Sequence, residues 1–174
     1  NGKHHAGRKG NRVGLERLLA TALARKFLHG TVLAVLAGSR RLGFERLEGG
    51  RLERRETAWA FDRDSGLHQS AYGADPLAGH LIWGADLALA DGERWLLCTE
   101  RTESTVVAIE LDEQGHFTGR TVLSRTEQQP RGLTVSPDGG LVVVVGERSD
   151  RASLYRIVDG ALAGVRKLNA KPGR

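Results

Sequence analysis

Hydrophobic positions along the chain follow two different periods. Residues 15–28 (LERLLATALARKFL) place Leu15, Leu18, Leu19, Ala22, Leu23 and Phe27 on one face at helical spacing. Most of these residues are strong helix formers, and Gly30 is placed to end the helix. The pattern predicts an amphipathic helix, serving for packing or as a membrane-surface or partner helix. After Gly30 the apolar residues come instead in short, β-branched runs. Residues 31–36 (TVLAVL) read as one strand and 42–47 as a second, alternating one. Gly49-Gly50 then turns the chain toward Arg51-Leu52.

Two later segments repeat one order of elements. Asp91-Gly92 leads into a strand over 94–99, then Glu100-Arg101, a strand over 105–111, a turn at Gln114-Gly115 and a strand over 117–123. Asp138-Gly139 leads into a strand over 141–145, then Glu147-Arg148, a strand over 153–158, a turn at Asp159-Gly160 and a strand over 162–168. In both copies Glu-Arg starts nine residues after the turn Asp, and the copies lie 47 residues apart. That period, with about four short strands per unit, is the mark of a β-propeller blade. A single blade cannot cover both its faces, so stacking blades buries them. Three blade-like units result, at about 30–60, 85–123 and 132–168. Residues 61–84 form a longer connection carrying His68 and His80. The expected fold is all-β: a partial propeller over 30–174, preceded by a basic tail and amphipathic helix over 1–29.

Composition adjusts this picture at a few points. The 23 glycines among 174 residues are nearly twice the usual share of about 7%, as many tight turns require. The net charge of +5 is uneven: residues 1–58 hold 13 Lys and Arg against 5 Asp and Glu, the rest 13 against 16. Residues 1–14 read as a solvated tail, or as a basic arm that meets phosphates by charge alone. No aromatics interleave there to stack bases, so nucleic acid is not the favoured partner. No run approaches the roughly 20 apolar residues of a membrane helix, and no apolar core of a secretory signal follows the first charges. One cysteine, Cys98, excludes a disulfide framework and a multi-cysteine zinc site. It suits a cytoplasmic location and reads as a small core residue. The six histidines show no metal spacing, and no phosphate-binding glycine loop or nucleophile elbow is present. The chain has no methionine, so it reads as a processed product, an excised segment or a partial reading.

Trp83-Gly84-Ala85-Asp86, Asp91-Gly92, Glu100-Arg101-Thr102 and Thr126-Glu127-Gln128-Gln129-Pro130-Arg131-Gly132 together resemble the C-terminal half of the seven-bladed propeller lactonases. Ser136-Pro137-Asp138-Gly139 and Ser153-Leu154-Tyr155-Arg156-Ile157 fit as well. The likeness is best over about 83–168, weaker over 30–60 and absent over 1–29. The family's best-known activity is 6-phosphogluconolactonase, and carboxymuconate-cyclising enzymes are relatives. The resemblance implies a ring of seven blades with a polar site at one mouth of the channel. It implies hydrolysis of 6-phosphogluconolactone to 6-phosphogluconate in the pentose phosphate pathway, with no cofactor and no metal. At about 45 residues per blade a ring needs roughly 300 residues, so this chain is expected to hold part of one.

Arg101 and Arg131 are the positions the resemblance carries over. Chemistry gives them work independently: a guanidinium fork suits a phosphate or carboxylate, and a fixed cation stabilises the oxyanion of lactone hydrolysis. Each also reads as an edge arginine paired with Glu100, Glu103 or Glu127. Attack by water needs a general base. The resemblance calls for a His two residues after Asp86, where Ala88 stands, and for an acidic residue where Leu36-Ala37-Gly38 stands. Asp86, Glu100, Glu127 and Glu147 remain, with Asp86 and Glu127 the leading pair. Asp86 also reads as a blade-locking acceptor, and Glu127 as a partner of Arg125 or Arg131. The alternative to a lactonase is a non-catalytic propeller module whose blades form an interaction surface.

Overall fold

The computed structural model describes residues 22–28, 31–36, 41–48 and 51–169 apart from 72 and 76, with side chains from Glu56 onward. The expected basic tail over 1–14, and the first half of the expected helix over 15–21, lie outside the described residues.

Three antiparallel four-stranded sheets are built in chain order. The first holds β1 (Ala22–Leu28), β2 (Thr31–Leu36), β3 (Arg41–Glu48) and β4 (Arg51–Trp59). Two short parallel strands follow, β5 (His68–Gln69) and β6 (Leu81–Ile82), inside the long connection. The second sheet holds β7 (Gly84–Ala90), β8 (Trp95–Glu100), β9 (Thr105–Leu111) and β10 (Phe117–Arg125). The third holds β11 (Pro130–Val135), β12 (Leu141–Gly146), β13 (Arg151–Val158) and β14 (Ala161–Asn169).

One expectation needs correcting. Ala22–Leu28 is a strand, not the second half of a helix: it pairs with β2 from Ala22 opposite Leu36 to Leu28 opposite Thr31. A neighbouring strand edge offers the same backbone a full ladder, so tertiary pairing overrides propensity.

The sheets stand side by side as blades. β7 packs beside β11 on one side and β1 on the other, while β10 packs beside β14 and β4. Strands of equal rank are neighbours, as in sheets arranged radially. The second blade is therefore covered on both faces, and β8 is buried along its whole length. Its Leu96, Cys98, Val107, Ile109 and Leu111 pack with Ala60 toward the first blade. Its Trp95, Leu97, Val106 and Ala108 pack with Leu133, Val142, Val144, Tyr155 and Ile157 of the third. The third blade is buried on that face alone. Val145 is 42% exposed on the other, and burial alternates along β12 and β13, the pattern of a half-covered sheet.

The strands of blades two and three superimpose with an offset of 46 residues, one less than the turn motifs. Glu100 pairs with Thr105 and Gly146 with Arg151, closing equal turns over 101–104 and 147–150. Glu100 is thus the last residue of β8, whereas Glu147 is the first residue of the next blade's turn. Arg101, not Glu100, is the structural counterpart of Glu147.

Candidate active site

The turns 101–104 and 147–150, the loop 126–129 and the starts of β7 and β11 lie at one end of the blades. The sequence TEQQPRG builds this end. The loop lies across the turn after β12: Gln129 carbonyl accepts the Glu147 N–H at 2.9 Å and Gln128 carbonyl the Arg148 N–H at 3.3 Å. Gly146 permits this closeness, because a Cβ there would lie 2.7 Å from Glu127 Cβ and 2.8 Å from the Gln128 carbonyl. At the start of β11, Pro130 pairs with Gly146 and Gly132 with Val145, so Arg131 is the extra residue of a β-bulge. Bulges re-aim side chains.

Arg101 and Arg131 meet at this end. Arg101 Nη2 lies 3.1 Å and Arg131 Nε 2.7 Å from the same atom, Glu147 Oε2. Arg101 is 8% exposed, and its Nε is buried without a hydrogen-bond partner among the described residues. Arg131 and Glu147 face solvent. The carboxylate that joins the arginines is therefore Glu147, rather than Glu100, Glu103 or Glu127.

The two leading acidic candidates are placed differently. Asp86 is buried at the bulged start of β7. Its Oδ1 accepts the Leu87 N–H at 2.9 Å, and its Oδ2 accepts the Leu133 N–H of the next blade at 3.0 Å. This is the blade-locking arrangement that the sequence left open. Glu127 is buried and accepts from the Ser153 hydroxyl. Burial pushes its pKa up, but the hydrogen bond from Ser153 and the nearby positive charges of Lys167 and Arg151 outweigh burial and hold the carboxyl below its usual range. Ser153 is the partner that sequence spacing missed. It is 26 residues away, on the strand that faces the loop, and only the blade's register brings it close.

Glu100 is fully buried. Its oxygens accept the N–H groups of Trp83 at 2.9 Å, Thr102 at 3.1 Å and Glu103 at 2.7 Å. Burial raises its pKa against these bonds. It thereby ties the long connection to the β8–β9 turn. Thr102 adds a hydroxyl bond to the Leu81 carbonyl at 2.5 Å. The connection thus reaches the same end, and its His68 and His80 rings meet edge to face, 6.5 Å apart. Cys98 is buried among apolar side chains. Among the described residues no group of three or more His, Cys, Asp or Glu is placed to hold a metal ion. A cavity of about 520 Å³ lies at the opposite end, beside Gly92, Arg94, Glu110 and Asp112. Arg94 and Arg120 close on Glu110 Oε1 there, at 2.7 and 3.5 Å, but the Glu100-Arg101-Thr102 and TEQQPRG residues lie at the other mouth.

Adjacent four-stranded antiparallel sheets with strands of equal rank side by side define a partial β-propeller. Residues 48–171 match the family model described as Lactonase, 7-bladed beta-propeller, and the chain belongs to that family. Among curated relatives, it is 33% identical over 75 residues to the 6-phosphogluconolactonase of Blochmanniella pennsylvanica, covering 43% of this chain and 22% of that protein. It is 32% identical over 75 residues to that of Sodalis glossinidius, covering 43% and 23%. Among solved structures, the periplasmic gluconolactonase of Pseudomonas aeruginosa matches with a TM-score of 0.62 at 19% identity, over 80% of this chain and 37% of that one. A Lactobacillus plantarum protein matches with a TM-score of 0.63 at 19% identity, over 79% and 38%. The matched segments thus span less than a quarter of the curated relatives and about two fifths of the solved structures. Among the described residues no helix is long and apolar enough to cross a membrane.

Proposed function

We propose that this chain supplies part of a lactone-hydrolysing site, with a phosphorylated sugar lactone, 6-phosphogluconolactone, as the substrate. The observation that carries this is the convergence of Arg101 and Arg131 on one carboxylate oxygen at the mouth of the blades. A fork that grips a carboxylate oxygen grips a phosphate or carboxylate oxygen of a ligand by the same geometry. In hydrolysis a water oxygen bonds to the lactone carbonyl carbon and the ring C–O bond breaks. The ring oxygen takes one proton, the solution takes the other, and a hydroxy acid anion leaves. Negative charge grows on the carbonyl oxygen before that bond breaks, where a fixed guanidinium is most effective. A cytoplasmic place in sugar-phosphate metabolism goes with this reading, as do the names of the curated relatives.

A second reading has its own support. Asp86 and Glu127, the two acids the sequence put forward as bases, are both buried in structural hydrogen bonds. That arrangement favours a propeller segment serving as a binding surface. A lactone-hydrolysis assay on the whole chain separates the two readings. The lactonase reading expects turnover above the spontaneous rate, falling on the order of 100-fold in Arg131→Ala. Turnover at the spontaneous rate, with a partner protein retained, would leave the second reading.

A further inference from the structure

We propose that Glu147 is a built-in counter-anion of the Arg101–Arg131 fork, a carboxylate that an incoming oxyanion must displace, so that it sets which anions this mouth accepts. The proposal rests on the arginines forming the anion site but not on lactone hydrolysis. Three observations carry it. Both guanidinium groups close on one atom, Glu147 Oε2, at 3.1 and 2.7 Å. That atom stands where an oxygen of a phosphate or carboxylate would meet the same two guanidinium charges, with Arg101 donating to it. The fork also has unused capacity beside it, since Arg101 Nε is buried and bonds to nothing among the described residues. A buried donor without a partner carries a desolvation cost that a ligand acceptor would relieve. Finally, Glu147 is built to leave. Its side chain is 44% exposed and sits on a turn residue rather than within a strand. Asp86, Glu100 and Glu127, by contrast, are buried and bonded in place.

The ligand class is an oxyanion with at least two accepting oxygens, such as a phosphate monoester or a carboxylate. One carboxylate against two guanidinium groups leaves the trio with a single positive charge. A dianion that displaces Glu147 neutralises both arginines, whereas a neutral polyol gains nothing by competing.

The test is titration of the full chain with inorganic phosphate at low ionic strength, followed by calorimetry. Glu147→Gln keeps the size of the side chain and removes its charge. It is expected to bind phosphate at least about tenfold more tightly than the parent, and Glu147→Ala should shift in the same direction. Adding Arg131→Ala to Glu147→Gln should abolish the gain. Equal or weaker phosphate binding by both Glu147 variants, with their folds intact by circular dichroism, would overturn the proposal and make Glu147 an organiser of the arginines. Tight phosphate binding by Glu147→Gln without lactone turnover in any variant would sink the lactonase reading and leave this one standing.

Discussion

Asp86, Glu127 and Glu147 are all acids beside the same mouth, and their surroundings give them different work. Asp86 joins two blades through backbone N–H groups of Leu87 and Leu133. Asp86→Ala strands the buried Leu133 donor, so a loss of about 1–3 kcal/mol of stability is expected in urea unfolding. A normal unfolding midpoint with lost turnover would instead make Asp86 a chemical participant. Glu127 and Glu100 titrate in opposite directions. The Ser153 hydroxyl and the charges of Lys167 and Arg151 outweigh burial at Glu127, so its folded pKa lies below the unfolded value. Its contribution is present above the unfolded carboxylate pKa, about 4.3, and is lost as pH falls through the folded value. Burial keeps the pKa of Glu100 raised; its contribution is present below the unfolded pKa and is lost as pH rises through the folded one. Unfolding measured from pH 3 to pH 7 should therefore show a shallower acid-side loss in Glu127→Gln and a steeper one in Glu100→Gln. Identical slopes in both variants would contradict these environments.

At the level of elements, turns and registers decide what the side chains can reach. The Asp159-Gly160 turn joins Val158 to Ala161 with both central residues at positive φ, 48° and 85°. This is the two-residue hairpin geometry that an Asp-Gly pair favours. A Cβ on Gly160 would sit 2.7 Å from the Trp95 ring of the next blade. Gly160→Ala is thus strained twice, by backbone and by contact. A loss of about 1–3 kcal/mol is expected, read as a fall in thermal midpoint, and a neutral result would mean that Trp95 yields. Around the same ring, Arg94 and Arg120 lie 5.3 and 5.1 Å from its centroid and share Glu110 and Asp159 as partners. Both arginines and Asp159 are exposed, so salt screens them. The steric fit of Gly160, rather than the ion network, holds this end. Register matters equally at the other end. Sequence spacing equated Glu100 with Glu147, but the strands align one residue differently. A shift of one residue moves a strand side chain to the opposite face. Glu100 is consequently sealed between blades, while Glu147 stands at the mouth beside its true counterpart Arg101.

Across the whole molecule, the middle blade carries the core. Cys98 lies in the layer between the first and second blades, and burial pushes its thiol up to about 12. A thiolate-directed reagent should leave the native chain unlabelled at pH 8 and label one thiol in guanidinium chloride. Labelling of the native chain at the unfolded rate would show that the first blade does not cover the second. This blade order was already legible along the chain. Alternating apolar runs, Asp-Gly turns and the repeated element order specified strands and blades, because a strand's period of two and a turn's need for positive φ are local properties. The arginines of the mouth were also legible, through the TEQQPRG motif and the strand end before it. Three things were not local. Ala22–Leu28 carries a helical pattern, yet the hydrogen-bonding edge of β2 makes it a strand. Glu127 takes Ser153 from across its blade. Glu147, rather than a nearer acid, closes on Arg101 and Arg131, because a bulge at Arg131 and a one-residue difference in register bring three separate strand ends to one point. Local patterns along the chain specify the blades and supply the charged groups. Which charges face each other is set by the fold, since it depends on pairings between residues 16 to 46 positions apart.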